Sequence, residues 1–470
     1  MKKHSHKGYQ RYHIETKTAH NLIPHPHRFK VKVKKLGLAK LLLKEFFHYK
    51  GNMDVILSRP CVYGVFSGPV GGFAPREQLC VGCLRCTTQY PEMVSILRNP
   101  QRSELGDDYF TPDYIDTVIY EAENGRVPVK GAGYRGKFGG EGWDSMWTDM
   151  SEIVRPTRDG IHGREFISTE IDLGEVPPYL QFDSEQHIPG DLPKNMTIPL
   201  PLLFDCPPSS VLLNKECCHI LSAAAAEIQT FAILPLHTIL LFSLAGSHGS
   251  HLIPLLTAQD FKDFRDFGFS PLAVEMGDWS ESFYSQIKAR HSNSLIILRA
   301  DYESEELISA FQKGVRIFHL TADYHGQGKN GQFVMDLIRR VHLKFVEMGC
   351  RDQVTLLGSG GMVAAEHIPK AIICGLDAVA LDTPVMAALQ AKFYGKCASQ
   401  TENNFVLPDS LTIPWGKQRL KNLAGAWRDQ LLEVMGAMGL REVRRLRGEM
   451  GRAMLQKDLE AEAFAGITQR

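Results

Sequence analysis

Eight short apolar runs, each separated from the next by a polar, turn-rich or helix-forming stretch, occupy residues 198–381 of this 470-residue chain. They are IPLPLLF (198–204), IQTFAIL (228–234), HLIPLL (251–256), PLAVEM (271–276), SLIILRA (294–300), VRIFHL (315–320), VTLL (354–357) and AVAL (378–381). Most show no polar–apolar alternation, which is the pattern of strands covered on both faces. Amphipathic stretches at 214–225, 280–290, 304–313, 333–348 and 364–374 lie between them. Eight such strands, each beside a helix or short connector, predict an α/β fold: a (β/α)8 TIM barrel over residues 191–400. A doubly wound sheet is the rival architecture. That fold usually carries its glycine fingerprint after the first strand, whereas here the glycines come late.

The late glycines belong to DQVTLLGSGGMVAAEHIPKAIICGLDAVALDT (352–383), read as a strand, a turn at Gly358-Ser359-Gly360-Gly361, a helix from Met362 to Cys374, and a strand. A helix of that length returns the chain for a parallel strand. If these are strands seven and eight, the turn sits where such barrels hold a phosphate on backbone N–H groups. A flavin phosphate is expected on Gly360, Gly361 and the turn after Leu381. Arg299, ending the fifth strand, would stabilise negative charge near the flavin ring. His325, Lys329 or Asn330, after the sixth, would bind or protonate a substrate. The bland alternatives are a plain tight turn and a stable barrel whose mouth has lost its chemistry.

Four of the ten cysteines fall within residues 61–86. Cys80-x-x-Cys83-x-x-Cys86 is the spacing by which one loop gives three thiolates to an iron–sulfur cluster. The bacterial ferredoxin run continues with x3-C-P; here that position is Tyr90-Pro91, so a single 4Fe–4S cluster is expected, with Cys61 as fourth ligand. Zinc is the alternative for four thiolates. Spacing favours iron–sulfur, because zinc sites more often pair distant CxxC units. The other six cysteines have no such spacing and read as small buried residues.

The ends frame these two regions. Residues 1–50 carry 13 Lys/Arg against Glu15 and Glu45, with seven histidines. They read as a solvated basic extension, without the aromatic interleaving of a nucleic-acid surface. Leu36–Tyr49 has helical spacing. Residues 51–100 form the expected iron–sulfur segment, 101–190 an irregular wrapping segment, and 401–470 closing helices at 418–438 and 442–464. The apolar run Ile228–Leu244, broken by Pro235 and His237, is too short to span a membrane and reads as strand plus loop. No secretory signal opens the chain, and clustered cysteines fit a reducing, cytoplasmic setting.

Four pieces in order resemble the FMN-binding barrel domain of glutamate synthase and its stand-alone prokaryotic relatives. These are RPTRDGIHGREFIST (155–169), HLTADYHGQGKN after the sixth strand, the LLGSGG…GLDAVALDT unit, and WRDQLLEVMGAMGLREVRRLRG (427–448). The resemblance covers roughly residues 150–465. It implies an FMN that receives electrons through an iron–sulfur centre and reduces 2-iminoglutarate, formed from 2-oxoglutarate and ammonia, to L-glutamate. It implies phosphate contacts from Gly358, Ser359, Gly360, Gly361, Asp382 and Thr383, with Arg299 at the family's strand-five lysine.

The chain departs from the family after the first strand (Phe204-Asp-Cys-Pro-Pro-Ser-Ser), after the second (Ile233-Leu-Pro-Leu-His) and after the fourth (Gly277-Asp-Trp-Ser). A cysteine cluster after the barrel is reduced to Cys397, and the amidotransferase nucleophile is not present in this sequence. Ammonia is therefore expected free or from a partner protein, and electrons from a donor. Action on another small 2-oxo or 2-hydroxy acid, or a non-catalytic electron-transfer or scaffold role, are the alternatives.

Overall fold

The computed structural model describes residues 12–57, 61–67, 71–128, 139–150, 166–175, 182–188, 193–263, 267–399 and 404–466. The chain divides into two compact units, one of residues 1–22, 107–128 and 137–470, the other of residues 23–106 and 129–136.

The larger unit is built on a closed barrel of eight parallel strands. In chain order these are β1 (Leu202–Phe204), β2 (Ala232–Pro235), β3 (Leu252–Leu256), β4 (Ala273–Met276), β5 (Leu295–Asp301), β6 (Ile317–Thr321), β7 (Thr355–Ser359) and β8 (Ala378–Leu381). β8 pairs with β1, placing Leu381 beside Phe204 and closing the ring. Each strand falls within or across one of the eight apolar runs. The barrel thus replaces the doubly wound alternative.

Helices cover the barrel where the apolar periodicity predicts them, at Lys215–Ile228, Glu281–Arg290, Leu307–Gln312, Val334–Glu347 and His367–Cys374. The last begins at His367 rather than Met362, because Gly360 and Gly361 take φ of +92° and +73° and carry the chain around the mouth first. After Pro235 the expected loop is instead a short helix, Leu236–Leu241, whose Leu236 and Ile239 are buried. The closing helix Ile413–Ala437 packs on Lys215–Ile228. The second closing helix expected at 442–464 is broken into two 3-10 turns, a strand (Ala453–Leu455) and the helix Gln456–Ala463. Gly448, at φ +73°, ends the first turn in a conformation side chains avoid.

The basic amino-terminal segment is not uniformly a solvated extension. Residues 12–22 lie along the closing helix: Arg419 Nη1 donates to Ala19 O at 2.9 Å, Asn422 Nδ2 to Lys17 O at 2.7 Å, and Trp415 Nε1 to His20 O at 2.8 Å. Residues 29–33 join the smaller unit, where Phe29–Val33 pairs antiparallel with Val94–Arg98. The division expected at residue 50 therefore falls inside a folded unit. The helix Lys35–His48, at the expected place, belongs to that unit as well. Of the family-like segment 155–169, residues 155–165 lie outside the described residues, as do residues 131–138 of the Gly-rich loop before Trp143.

Candidate functional site

The carboxyl ends of the strands surround a cavity of about 410 Å³ at the barrel mouth, lined by Asp205, Arg299, Tyr302, Tyr324, Ser359 and Asp382 among others. Lys329 reaches its edge. This is the face on which (β/α)8 barrels place their chemistry.

Arg299, on β5, is not an open cation. Its Nη1 and Nη2 donate to the two carboxylate oxygens of Asp205 at 2.7 and 2.9 Å, and Nη1 donates to Glu275 Oε1 at 3.1 Å. His319, next to Arg299 in the β5–β6 register, sets Nδ1 3.0 Å from the same Glu275 oxygen. Glu275 and His319 are fully buried and Asp205 nearly so. Burial alone would raise the Asp205 carboxyl, but the Arg299 guanidinium and then His319 hold it below the usual carboxylate range. The expected cation is in place, and two carboxylates already neutralise it.

The glycine turn shows a second unexpected pairing. The N–H groups of Gly360 and Thr383 converge at the ends of β7 and β8, as a phosphate site requires. What they meet is the Asp382 carboxylate: Gly360 N–H donates to Oδ2 at 3.1 Å and Thr383 N–H to Oδ1, which also accepts from Thr383 Oγ1 at 3.0 Å. Burial, followed by the nearby Asp205 charge, raises the Asp382 carboxyl to about 7 against the pull of these donors. Predicted phosphate contacts Gly360, Asp382 and Thr383 are thus brought together, with the anion supplied by the chain itself.

The remaining glycines and Ser359 serve packing around this point. A Cβ on Gly361 would lie 2.6 Å from Gly326 Cα, and one on Gly360 2.6 Å from Asp323 O, so the turn is glycine because the loop after β6 presses on it. Gly358 faces Tyr302, whose hydroxyl sits 2.3 Å from where a Cβ would be. Ser359 is buried at the end of β7 and lines the cavity. Tyr109 Oη and Trp143 Nε1 both donate to Gly361 O, at 2.6 and 3.0 Å. Neither residue was among the sequence candidates; their segments precede the barrel and carry no periodic signal.

His325 does not line the mouth cavity. Its Nε2 lies 2.7 Å from Asp107 Oδ2, and Tyr109 stacks on its ring at 5.2 Å. Asp107 also accepts from the N–H groups of Cys397 and Phe110. Burial opposes ionisation there, but the His325 bond, then those of Cys397 and Phe110, bring Asp107 down to about 2. His325, expected to bind or protonate a substrate, is thus bonded to Asp107 beside the mouth rather than lining its cavity. Lys329 is well exposed and pairs with Asp301, and Asn330 Nδ2 donates to Glu303 Oε1 at 2.7 Å.

In the smaller unit, Cys61, Cys80, Cys83 and Cys86 all line one small apolar cavity with Val31, Val65 and Phe66. None forms a disulfide. Gly82 (φ +69°) and Leu84 (φ +60°) turn the backbone so that the three CxxCxxC thiols share this cavity. Burial raises the thiols of Cys80 and Cys86, and neighbouring cysteines of the four add to it. Among the described residues, no group of three His, Cys, Asp or Glu is arranged to hold a single metal ion. The other six cysteines are buried, as expected.

The model of the conserved region in glutamate synthase matches residues 324–441, from the loop after β6 to just past the closing helix. The archaeal-type glutamate synthase [NADPH] of Dehalococcoides mccartyi is 22% identical over 436 residues, 79% of this chain and 86% of that protein. The archaeal glutamate synthase [NADPH] of Archaeoglobus fulgidus is 22% identical over 458 residues, 83% of this chain and 89% of the relative. Among solved structures, a flavocytochrome b2 variant with pyruvate bound aligns with TM-score 0.41 at 11% identity, covering 69% of this chain and 87% of that one. The conserved region includes the ends of β7 and β8 at the barrel mouth, and similarity to these two glutamate synthases extends along most of the chain.

Proposed function

We propose that the chain is an FMN-dependent oxidoreductase of the glutamate synthase type, reducing 2-iminoglutarate, from 2-oxoglutarate and ammonia, to L-glutamate. The observation that carries this reading is the mouth cavity itself. Convergent N–H groups of Gly360 and Thr383, the Arg299 guanidinium and the Tyr324 hydroxyl meet at the face where this fold binds phosphate-bearing cofactors. When bound, the flavin would supply hydride transfer. Gly360 and Thr383 would hold its phosphate once Asp382 yields them. Arg299 is held in place at the mouth by Asp205 and Glu275. Lys329 is the exposed cation at the cavity edge suited to a substrate carboxylate.

Cys61, Cys80, Cys83 and Cys86 would hold one 4Fe–4S cluster. Four thiols lining one cavity, three of them in the CxxCxxC spacing of cluster-binding loops, support this reading over zinc. The relatives' names include NADPH, so NADPH or a partner protein carrying its electrons is the proposed donor, and ammonia enters free or from a partner.

Absorption of anaerobically purified protein and glutamate formation from 2-oxoglutarate, ammonia and a reduced dye test this reading. A colourless protein that releases no flavin on denaturation sinks it. The neutralised state of Arg299 favours a second reading, a barrel that binds its ligand without turnover. That version predicts bound flavin and no glutamate.

A further inference from the structure

Three facts meet at the ends of β7 and β8. First, the anion position made by Gly360 and Thr383 is filled by the carboxylate of Asp382, a residue that is 2% exposed. Second, the hydroxyl of Tyr324, a buried residue of the cavity wall that lies among Asp382, Asp205 and Arg299, has no hydrogen-bond partner among the described residues. A buried hydroxyl without a partner is rare, and one placed among the charged groups of this mouth points to a ligand that supplies an acceptor. Third, the cavity already holds Asp205 beside Asp382, so a phosphate arriving next to two ionised carboxylates meets like charge.

We propose that Asp382 gates ligand phosphate at this mouth: a phosphate enters only when the Asp382 carboxylate gives up the Gly360 and Thr383 N–H groups, so that binding takes up a proton. The inference rests on the barrel mouth being the cofactor site and specifies how that site discriminates. The groups that bear on Asp382 are Asp205 after β1, Tyr302 following β5, Tyr324 following β6 and Tyr109 from the segment before the barrel, while Arg299 on β5 and His319 on β6 bear on Asp205. Arg299 is committed to Asp205 and Glu275, so its charge is already engaged when a phosphate approaches Asp382. Its carboxyl, raised to about 7, gains a proton near neutrality. The protonated acid has an O–H to give to a phosphate oxygen, where the carboxylate has only lone pairs.

The test is titration of the full chain with inorganic phosphate, FMN and riboflavin between pH 6 and 8.5, in the wild type, Asp382→Asn and Asp382→Gly. The two variants report the ligand's own titration, so the wild-type-to-variant ratio isolates Asp382. One linked proton weakens wild-type phosphate and FMN binding, relative to the variants, by about tenfold per pH unit above neutrality. Riboflavin, which has no phosphate, should show no such ratio. Identical pH dependence in all three proteins, or no phosphate or FMN binding in any, overturns the gate. If phosphate binding shows the expected ratio but neither flavin binds, the gate stands and the flavin reading falls. If FMN binds with equal pH dependence in all three, the flavin reading stands and the gate falls.

Discussion

Arg299 and Asp205 face each other across the barrel mouth through two parallel N–H···O bonds of 2.7 and 2.9 Å, with the guanidinium 14% exposed and the carboxylate 3%. A third bond from Arg299 reaches Glu275, whose side chain is fully buried. Fork geometry of this kind suits arginine alone among the cations. Removing one partner of such a group leaves uncompensated buried charge, which costs about 3–5 kcal/mol. Arg299→Ala is therefore expected to lose stability on that scale in urea unfolding. Arg299→Lys, which keeps the charge but loses the fork, should fall between. An alanine variant as stable as the wild type would show that the guanidinium is a free functional cation after all.

Asp107 and His325 tie the segment before the barrel to the loop after β6. The sign of its pH dependence follows from the depressed carboxyl. With a folded value near 2 against an ordinary value of 3.8, the pair contributes stability above about pH 4 and loses it as pH falls through 2. The contribution is about 2 kcal/mol. Thermal unfolding of wild type and Asp107→Asn should thus differ by a constant amount from pH 7 down to about 4, and converge below that. A difference that persists unchanged to pH 2 would show that ionisation of Asp107 does not carry it.

The barrel was legible because its strands are buried on both faces, and such strands announce themselves as uninterrupted apolar runs. The mouth was legible as a place but not as chemistry. Arg299 was correctly set at the end of β5, yet its partners lie 94 and 24 residues away in sequence, and only barrel closure brings them together. His325 looked like a proton donor because its loop is Gly-rich and polar; the carboxylate that captures it is 218 residues distant. Asp382 is different. An acid in the turn where a phosphate is expected was visible in the sequence, and its negative charge was the signal that it would compete with a phosphate. Tyr109 and Trp143 gave no signal, since their bonds to Gly361 depend on the path of an irregular segment.

The four cysteines of the smaller unit make a prediction separable from the barrel. Protein purified without oxygen should carry about four iron atoms and matching labile sulfide per chain if a cubane occupies their cavity. Serine at Cys61, Cys80, Cys83 or Cys86 should abolish or sharply reduce iron content and visible absorption. Serine at Cys350, buried in the larger unit and bonded to Phe345 O, should leave both unchanged. Stoichiometric zinc with no iron in the wild type would replace the cluster with a structural metal.

Gly361 tests whether the turn is glycine for the fold or for a ligand. Its φ of +73° disfavours any side chain, and a Cβ would press to 2.6 Å against Gly326 Cα and 2.9 Å against Gly326 N, backbone atoms that cannot swing away. Backbone strain and overpacking of this kind cost about 1–3 kcal/mol each. Gly361→Ala should therefore destabilise the chain measurably in the absence of any ligand. Gly246, with nothing within 4 Å of its added Cβ, is the matched control, and its alanine variant should be neutral or slightly stabilising. Equal stability of the two variants would return the glycine to the ligand, because only close approach by a bound group would then require it.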